Sequence, residues 1–400
     1  MPTDKLQILT PIVTSVNGQT GDVDTRSFKP TGKSYLTFSS PNSFTLAVND
    51  AIKHWDGTLE YFASNKTWTT WDGTSTLSSV DNDGERVLYL RGTGNTKITG
   101  LNADDVSDTY RWVLTGSDIA CVGNIENLLD YATVESGQHP TMAEACYGYM
   151  FQGCTGLTKA PALPATTLES NCYRSMFSGC TSLTKAPALP ATTLANYCYY
   201  QMFQGCTSLI QAPALPATTL ATYCYRHMFH GCTSLIQAPA LPATTLAGYC
   251  YQSMFFGCTS LSQAPTLPAT TLADRCYFLM FFGCTSLTQA PALPATMLAN
   301  YCYNSMFKNC TSLKLSSSKT GEYTQEYRIP TTGTGTTATD ALTNMFTSTG
   351  GTFTGTLGIN TTYYLSTDNM IVRETEVATL NGYVGSMIDA AIGNAIGGSY

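Results

Sequence analysis

Charged side chains are scarce in this chain: they make up 12% of its 400 residues and leave a net charge of −7. A basic, phosphate-binding surface has nothing to be built from, so no nucleic-acid partner is expected. No segment reaches the 18 or so consecutive apolar residues of a membrane span, and no membrane insertion is expected. The sequence contains no C-x-x-C pair for zinc, no H-E-x-x-H, no Gly-rich phosphate loop and no Ser-His-Asp spacing. His227 and His230 stand three apart without an acid nearby. An enzyme needs groups of matched pKa held together in a cleft, so neither catalysis nor a cofactor or metal site is expected.

What the chain has instead is a repeat. From Met142 to Leu313 one phrase is written seven times with a spacing of 26. Its first cysteine falls at Cys146, Cys172, Cys198, Cys224, Cys250, Cys276 and Cys302. The second follows at Cys154, Cys180, Cys206, Cys232, Cys258, Cys284 and Cys310, and the text between reads C-Y-x-x-M-F-x-G-C with few exceptions. A linking phrase, T-S-L-x-x-A-P-A-L-P-A-T-T-L-A, joins one unit to the next. A fixed period of this length means stacked supersecondary units, none of which can bury its apolar face alone.

Within a unit the apolar residues sit at i, i+1, i+4, i+5 and i+8, which places Cys198, Tyr199, Met202, Phe203 and Cys206 on one face of a short helix. Gly205 falls near its end. Pro213 and Pro216 have no N–H to donate, so the linking arm is expected to be a very short strand or an extended edge. Each coil then reads as strand, turn and short helix, and seven coils stacked at the strand spacing make a rod on the order of 35 Å long. A column of seven cysteines cannot be fully paired within itself, so the thiols are expected to be reduced, buried rungs, with Cys121 a lone core thiol.

The pattern A-L-P-A-T-T-L-A-N-Y-C-Y-Y-Q-M-F-Q-G-C-T-S-L resembles the BspA-like branch of leucine-rich repeats, found on surface proteins of gut Bacteroidales and in proteins of their phages. The resemblance covers about Thr141 to Leu313. It implies a right-handed repeat solenoid used for adhesion or recognition and does not fix the ligand.

The rest of the chain frames the repeat. Residues 1–30 read as an extended arm carrying V-T-S-V-N-G-Q-T-G-D-V, with a strong turn pair at Asn17-Gly18. This phrase resembles an N-terminal segment of phage fibre and other phage structural proteins, which makes Val16, Asn17, Gly18 and Gly21 the candidate anchor. Residues 31–117 suggest a small β-sandwich with strands at Tyr35 to Phe38, Ser43 to Val48, Leu59 to Ala63, Thr67 to Trp71, Arg86 to Arg91, Lys97 to Thr99 and Tyr110 to Leu114. Asp81 to Glu85 begins like a calcium loop but lacks its later ligands, so a plain turn is expected. Trp55, Trp68 and Trp71 fit either a sandwich core or a sugar-stacking platform. Residues 118–141 are expected to cap the repeat, with a short amphipathic piece at Asp118 to Tyr131. Residues 314–372, where Asn344-Met345-Phe346 echoes the repeat phrase, are a degenerate coil and closing cap. In 373–400, Val377, Leu380, Val384, Met387, Ile388, Ala391, Ile392 and Ala395 recur at helical spacing.

The expected fold class is therefore mixed α and β, a β-sandwich-like domain followed by a right-handed solenoid of seven coils. Positions i+2, i+3 and i+6 of each unit should face solvent, and there Tyr200, Arg226, His227, His230, Phe256, Phe278, Leu279 and Phe282 make a candidate contact patch. Phe256, Phe278, Leu279 and Phe282 should form an exposed apolar cluster, and clusters of that kind mark an interface. Either a second subunit or receptor covers it, or the insertion after Lys314 folds back over it. Met1 to Val23 contains Asp4 and Lys5 and no apolar run of signal-peptide length. The expectation is a phage virion fibre or decoration protein at the virion surface, bound to other virion proteins through its arm. It would form a closed homo-oligomer such as a trimer and attach to host-surface polysaccharide or protein. An exported bacterial surface adhesin is the alternative.

Overall fold

The computed structural model describes residues 28–32, 35–101 and 109–367. The candidate anchor at Val16, Asn17, Gly18 and Gly21 and the stripe from Val377 to Ala395 lie outside the described residues.

The N-terminal region is β throughout. Strands β1 (Leu36–Ser40), β2 (Thr45–Val48), β3 (Thr58–Phe62), β4 (Trp68–Trp71), β5 (Leu77–Ser78), β6 (Val80–Asn82), β7 (Glu85–Thr93), β8 (Gly100–Leu101), β9 (Thr109–Tyr110), β10 (Trp112–Thr115) and β11 (Ile119–Val122) precede one helix, α1 (Asn127–Glu135). The first sheet runs β12-β11-β1-β7-β3-β4, with β6 also on β7, where β12 (Leu157–Lys159) belongs to the first repeat coil. The second sheet runs β10-β2-β5. Alternation explains the sheets: in L-T-F-S-S of β1 every second residue is buried. Lys97 to Thr99, expected as a strand, is not one; Ile98 and Thr99 instead donate their N–H groups to Cys146 O. Asp81 to Glu85 is the β6-β7 hairpin turn, with Asp83 and Gly84 at φ 53° and 90°, as a two-residue loop requires. Trp55 and Trp71 are core residues with ring centroids 5.0 Å apart, which removes the sugar platform, while the Arg91 guanidinium covers Trp68. Helix α1 crosses β7 so closely that a Cβ at Gly92 would strike the Leu128 carbonyl.

The first coil has no free end. Strand β11 pairs with β1 on one side and with β12 on the other, and Phe38 and Trp112 lie 6.1 and 6.0 Å from Phe151. Ile119–Val122 therefore extends the sheet instead of forming the start of an amphipathic piece, and α1 follows, interrupted at Asp130.

The coils themselves correct the expected helix. Cys198, Tyr199, Met202, Phe203 and Cys206 are all buried as the spacing requires, but the segment is a string of tight turns. Every fourth residue lies in the left-handed region: Tyr197 at φ 58°, Gln201 at 56° and Gly205 at 70°. An α-helix admits none of these. Hydrogen bonding alternates to match. Tyr200, Met202, Gln204 and Cys206 donate to the carbonyl three residues back, at 3.1 to 3.2 Å. Tyr197, Tyr199, Gln201, Phe203 and Gly205 donate to the next coil, for example Phe203 N to Met228 O at 2.9 Å. Each coil is thus tied to its neighbour through the backbone as a β-sheet is, and the described residues are mostly β with very little helix. The linking arms add isolated parallel bridges, Lys185 to Gln211 to Gln237 to Gln263 and Thr219 to Thr245.

Inside the stack, identical residues sit over one another. Tyr147, Tyr173, Tyr199, Tyr225, Tyr251, Tyr277 and Tyr303 stack at 5.7 to 5.8 Å, and a parallel phenylalanine column runs from Phe151 to Phe307 at 5.5 to 5.7 Å. All fifteen cysteines are buried and unbridged. The second column is more than apolar filling: the Cys206 Sγ donates to Phe177 O at 3.1 Å, and the same bond recurs in the other coils.

Beyond Leu313, Met345 and Phe346 are buried over Met306 and Phe307, with Phe307 N bonded to Met345 O. The residues on either side of this pair form a sheet of β13 (Lys314–Ser316), β14 (Tyr323–Arg328), β15 (Gly350–Gly351) and β16 (Thr362–Ser366) in the order β14-β16-β13-β15. Tyr327 packs on Phe346, closing that end. Among the described residues no helix is long and apolar enough to cross a membrane.

Candidate functional site

Because each turn string repeats every four residues and each coil every 26, outward side chains also form columns. The column before the first cysteine holds Tyr197, Tyr223 and Tyr249, whose rings stack at 4.5 and 4.6 Å. Arg275 follows, its Nη1 donating to the Tyr249 hydroxyl at 2.7 Å and its guanidinium 4.4 Å from the Tyr301 ring. These residues were not singled out by sequence reasoning, although the repeated Y-C-Y in successive units signals them.

The candidate contact residues fall in the adjoining columns and are joined to this one ring by ring. Tyr200 lies 5.8 Å from Tyr197 and sits between two arginines, with the guanidinium carbons of Arg174 and Arg226 at 4.9 and 5.6 Å from its centroid. His227 meets Tyr200 edge-on at 6.0 Å and His230 at 5.4 Å. His230 continues to Phe256 at 4.7 Å, and Phe256 stacks on Phe282 at 4.5 Å with the rings 7° from parallel. Phe278 and Leu279 are in the same coil as Phe282. One aromatic surface therefore runs across four coils. Its apolar part differs from expectation: Phe256, Phe278, Leu279 and Phe282 are half-buried against neighbouring coils and do not stand free in solvent. Stacking at coil spacing hides much of each ring. The insertion after Lys314 packs on Phe346 through Tyr327 and lines a groove with Thr331 and Thr332.

Electrostatics set the face apart. Arg174, Arg226 and Arg275 take part in no ion pair among the described residues. The Nε atoms of Arg174 and Arg226 and the Nδ1 of His227 are buried without a hydrogen-bond partner. Burial, reinforced by Arg226 and His230, lowers the His227 pKa to about 4, so at neutral pH the ring is uncharged. Burial lowers that of His230 as well, and Gln204 Nε2 lies 3.1 Å from its Nδ1. Inside the rod, burial pushes the Cys198 thiol up to about 12, so these thiols are inert.

On another side of the coils, the A-P-A-L-P phrases line shallow grooves of about 580, 390 and 510 Å³. Their walls are mostly alanine, proline and leucine, with few groups to orient a ligand. Glu126, buried under the first coil, accepts from His139 Nδ1 at 2.8 Å. Among the described residues no cluster of three or more His, Cys, Asp or Glu could hold a metal ion. In comparisons with protein-family models, with curated proteins and with solved structures, nothing matches this chain.

Proposed function

We propose that this chain is a phage structural protein, a fibre or decoration protein at the virion surface. Its stacked coils would be a right-handed, BspA-like leucine-rich-repeat solenoid that attaches the particle to host-surface polysaccharide or protein. The observation that carries the attachment reading is the ring-to-ring surface from Tyr249 through Tyr200 and His227 to Phe282. Tyrosine and arginine concentrate binding energy because they offer large contact area and directed hydrogen bonds at low entropic cost. Here they are held by neighbouring coils, so little ordering remains to be done on binding.

The place in a particle is supported by the phrase V-T-S-V-N-G-Q-T-G-D-V, with Val16, Asn17, Gly18 and Gly21 as anchor to other virion proteins. Copies would assemble as a closed homo-oligomer such as a trimer, and the role is one of binding without catalysis. An exported bacterial adhesin would use the same face. Mass spectrometry of purified virions separates the two: the chain at stoichiometric copy number is expected, and loss of its first 30 residues should leave a folded rod that no longer joins the particle. Recovery from the bacterial surface fraction and not from virions would overturn the assignment.

A further inference from the structure

The charged groups on this face are not scattered. Arg174 and Arg226 stand two residues after the first cysteine of the second and fourth coils, one column with a guanidinium in every second coil, while Arg275 stands one residue before that of the sixth, in the column of Tyr197, Tyr223 and Tyr249. Two coils at the spacing of neighbouring strands amount to about 10 Å, comparable to the length of a disaccharide. Tyrosines fill the intervals: Tyr200 lies between Arg174 and Arg226, and the stacked Tyr197 and Tyr223 run alongside.

Among the described residues no carboxylate forms an ion pair with these arginines. The acids at the rim are engaged elsewhere: Glu144 accepts from Asn171 at 3.0 Å, and Asp274 accepts from the Asn300 N–H at 3.2 Å. The Arg174 Nη1 donates to Asn171 Oδ1 at 3.2 Å, and the Arg226 guanidinium lies against the Tyr200 and Tyr223 rings. A planar, permanently charged fork that is pre-positioned and has no ion-pair partner among the described residues suits an incoming carboxylate, which a guanidinium can bind through two parallel N–H···O bonds. A tyrosine ring beside it suits the C–H face of a sugar.

We infer that this face binds a linear acidic polysaccharide carrying a carboxylate on every second sugar. Alternate sugars place their carboxylates on successive arginines, and the uncharged sugars between them lie against the tyrosines. The inference rests on the attachment reading above and names its ligand class. Neutral glycans would lose the guanidinium contacts, and a chain carrying an acid on every sugar would leave half of its charges facing rings.

The test uses the whole chain in biolayer interferometry on immobilised hyaluronate and chondroitin, both of which carry a uronate on every second sugar. Their carboxyl-reduced derivatives serve as controls, with adsorption to gut Bacteroidales cells measured in parallel. Binding to the acidic polymers is expected to weaken as salt rises, and to fall about tenfold for each of R174Q and R226Q. R226K, which keeps the charge and loses the fork, should fall between. Equal binding to the carboxyl-reduced polymers overturns the inference without requiring any variant to fold. So does adsorption to cells with no binding to either polymer, or adsorption abolished by protease treatment of the cells; both leave the attachment reading standing and point away from an acidic glycan. Failure to bind cells and polymers alike overturns both.

Discussion

Ser253 offers a test of the turn string in which the sign of the effect decides. It occupies the same place in its coil as Gln201, has φ 52°, and buries its hydroxyl without a hydrogen-bond partner. A residue with a Cβ in the left-handed region carries a cost of roughly 1 to 2 kcal/mol that glycine does not. Removing an unsatisfied buried hydroxyl relieves about another 1 kcal/mol, and the extra freedom of glycine in the unfolded chain opposes these by roughly 0.5 to 1 kcal/mol. Ser253→Gly should therefore stabilise by roughly 1 to 2.5 kcal/mol, and for a cooperative unit of 150 to 250 residues each kcal/mol raises Tm by roughly 2 to 4 °C. In an α-helix the same change would destabilise by a few tenths of a kcal/mol or more. Ser253→Val, branched at Cβ in a conformation that excludes branching, should destabilise by roughly 2 kcal/mol or more. Thermal melts followed by circular dichroism, with amide exchange of the fifth and sixth coils, measure both. A lower Tm for Ser253→Gly would refute the turn string.

Other outcomes follow from the packing. Phe203, fully buried and stacked at 5.7 Å between Phe177 and Phe229, should cost about 3 to 5 kcal/mol when changed to alanine. The half-buried Phe282 should cost far less, and equal losses in urea melts would place both rings wrongly. Native thiols should resist a disulfide exchange reagent at pH 8 and all fifteen should react after unfolding; extensive native labelling would contradict their burial. His227, at about 4 in the folded protein against an ordinary 6.5, remains neutral where the unfolded chain takes up a proton. Stability should thus be unaffected by this group above pH 6.5 and decline as pH falls from 6.5 towards 4, and His227→Gln should remove that part of the decline.

The period, the buried face and the echo at Met345-Phe346 were legible because they depend on spacing alone. A four-residue turn and a helical turn of 3.6 residues put i, i+1, i+4, i+5 and i+8 on the same side over two turns, so the pattern of Cys198 to Cys206 fits both. The conformation was not legible because the left-handed positions hold Tyr197 and Gln201, residues that local propensity would never place there. The carbonyls that pay for this, such as Arg226 O and Met228 O, come from the next coil. Only the Gly205 column announced itself. The Tyr197, Tyr223 and Tyr249 ladder escaped for a related reason: it precedes the cysteine, where a helix reading sees a linker, and the turn string makes it part of the same face as Tyr200. The stretch from Asp118 to Tyr131 read as an amphipathic cap, whereas in β11 Ile119 and Cys121 are buried between β1 and the first coil.

Adsorption of the purified chain to cells of the proposed host, compared with a variant in which Tyr197, Tyr223 and Tyr249 are all serine, is the direct test of the attachment proposed for this face. The three rings are half-buried on the outside of the rod, apart from the inner column at Tyr199, Tyr225 and Tyr251, so the variant should retain its fold by circular dichroism. Each lost ring removes contact area at a pre-ordered surface, worth about tenfold in affinity or more at a binding hot spot. Wild type is expected to adsorb saturably and the folded triple variant not at all; undiminished adsorption by that variant would rule out these rings as the contact surface.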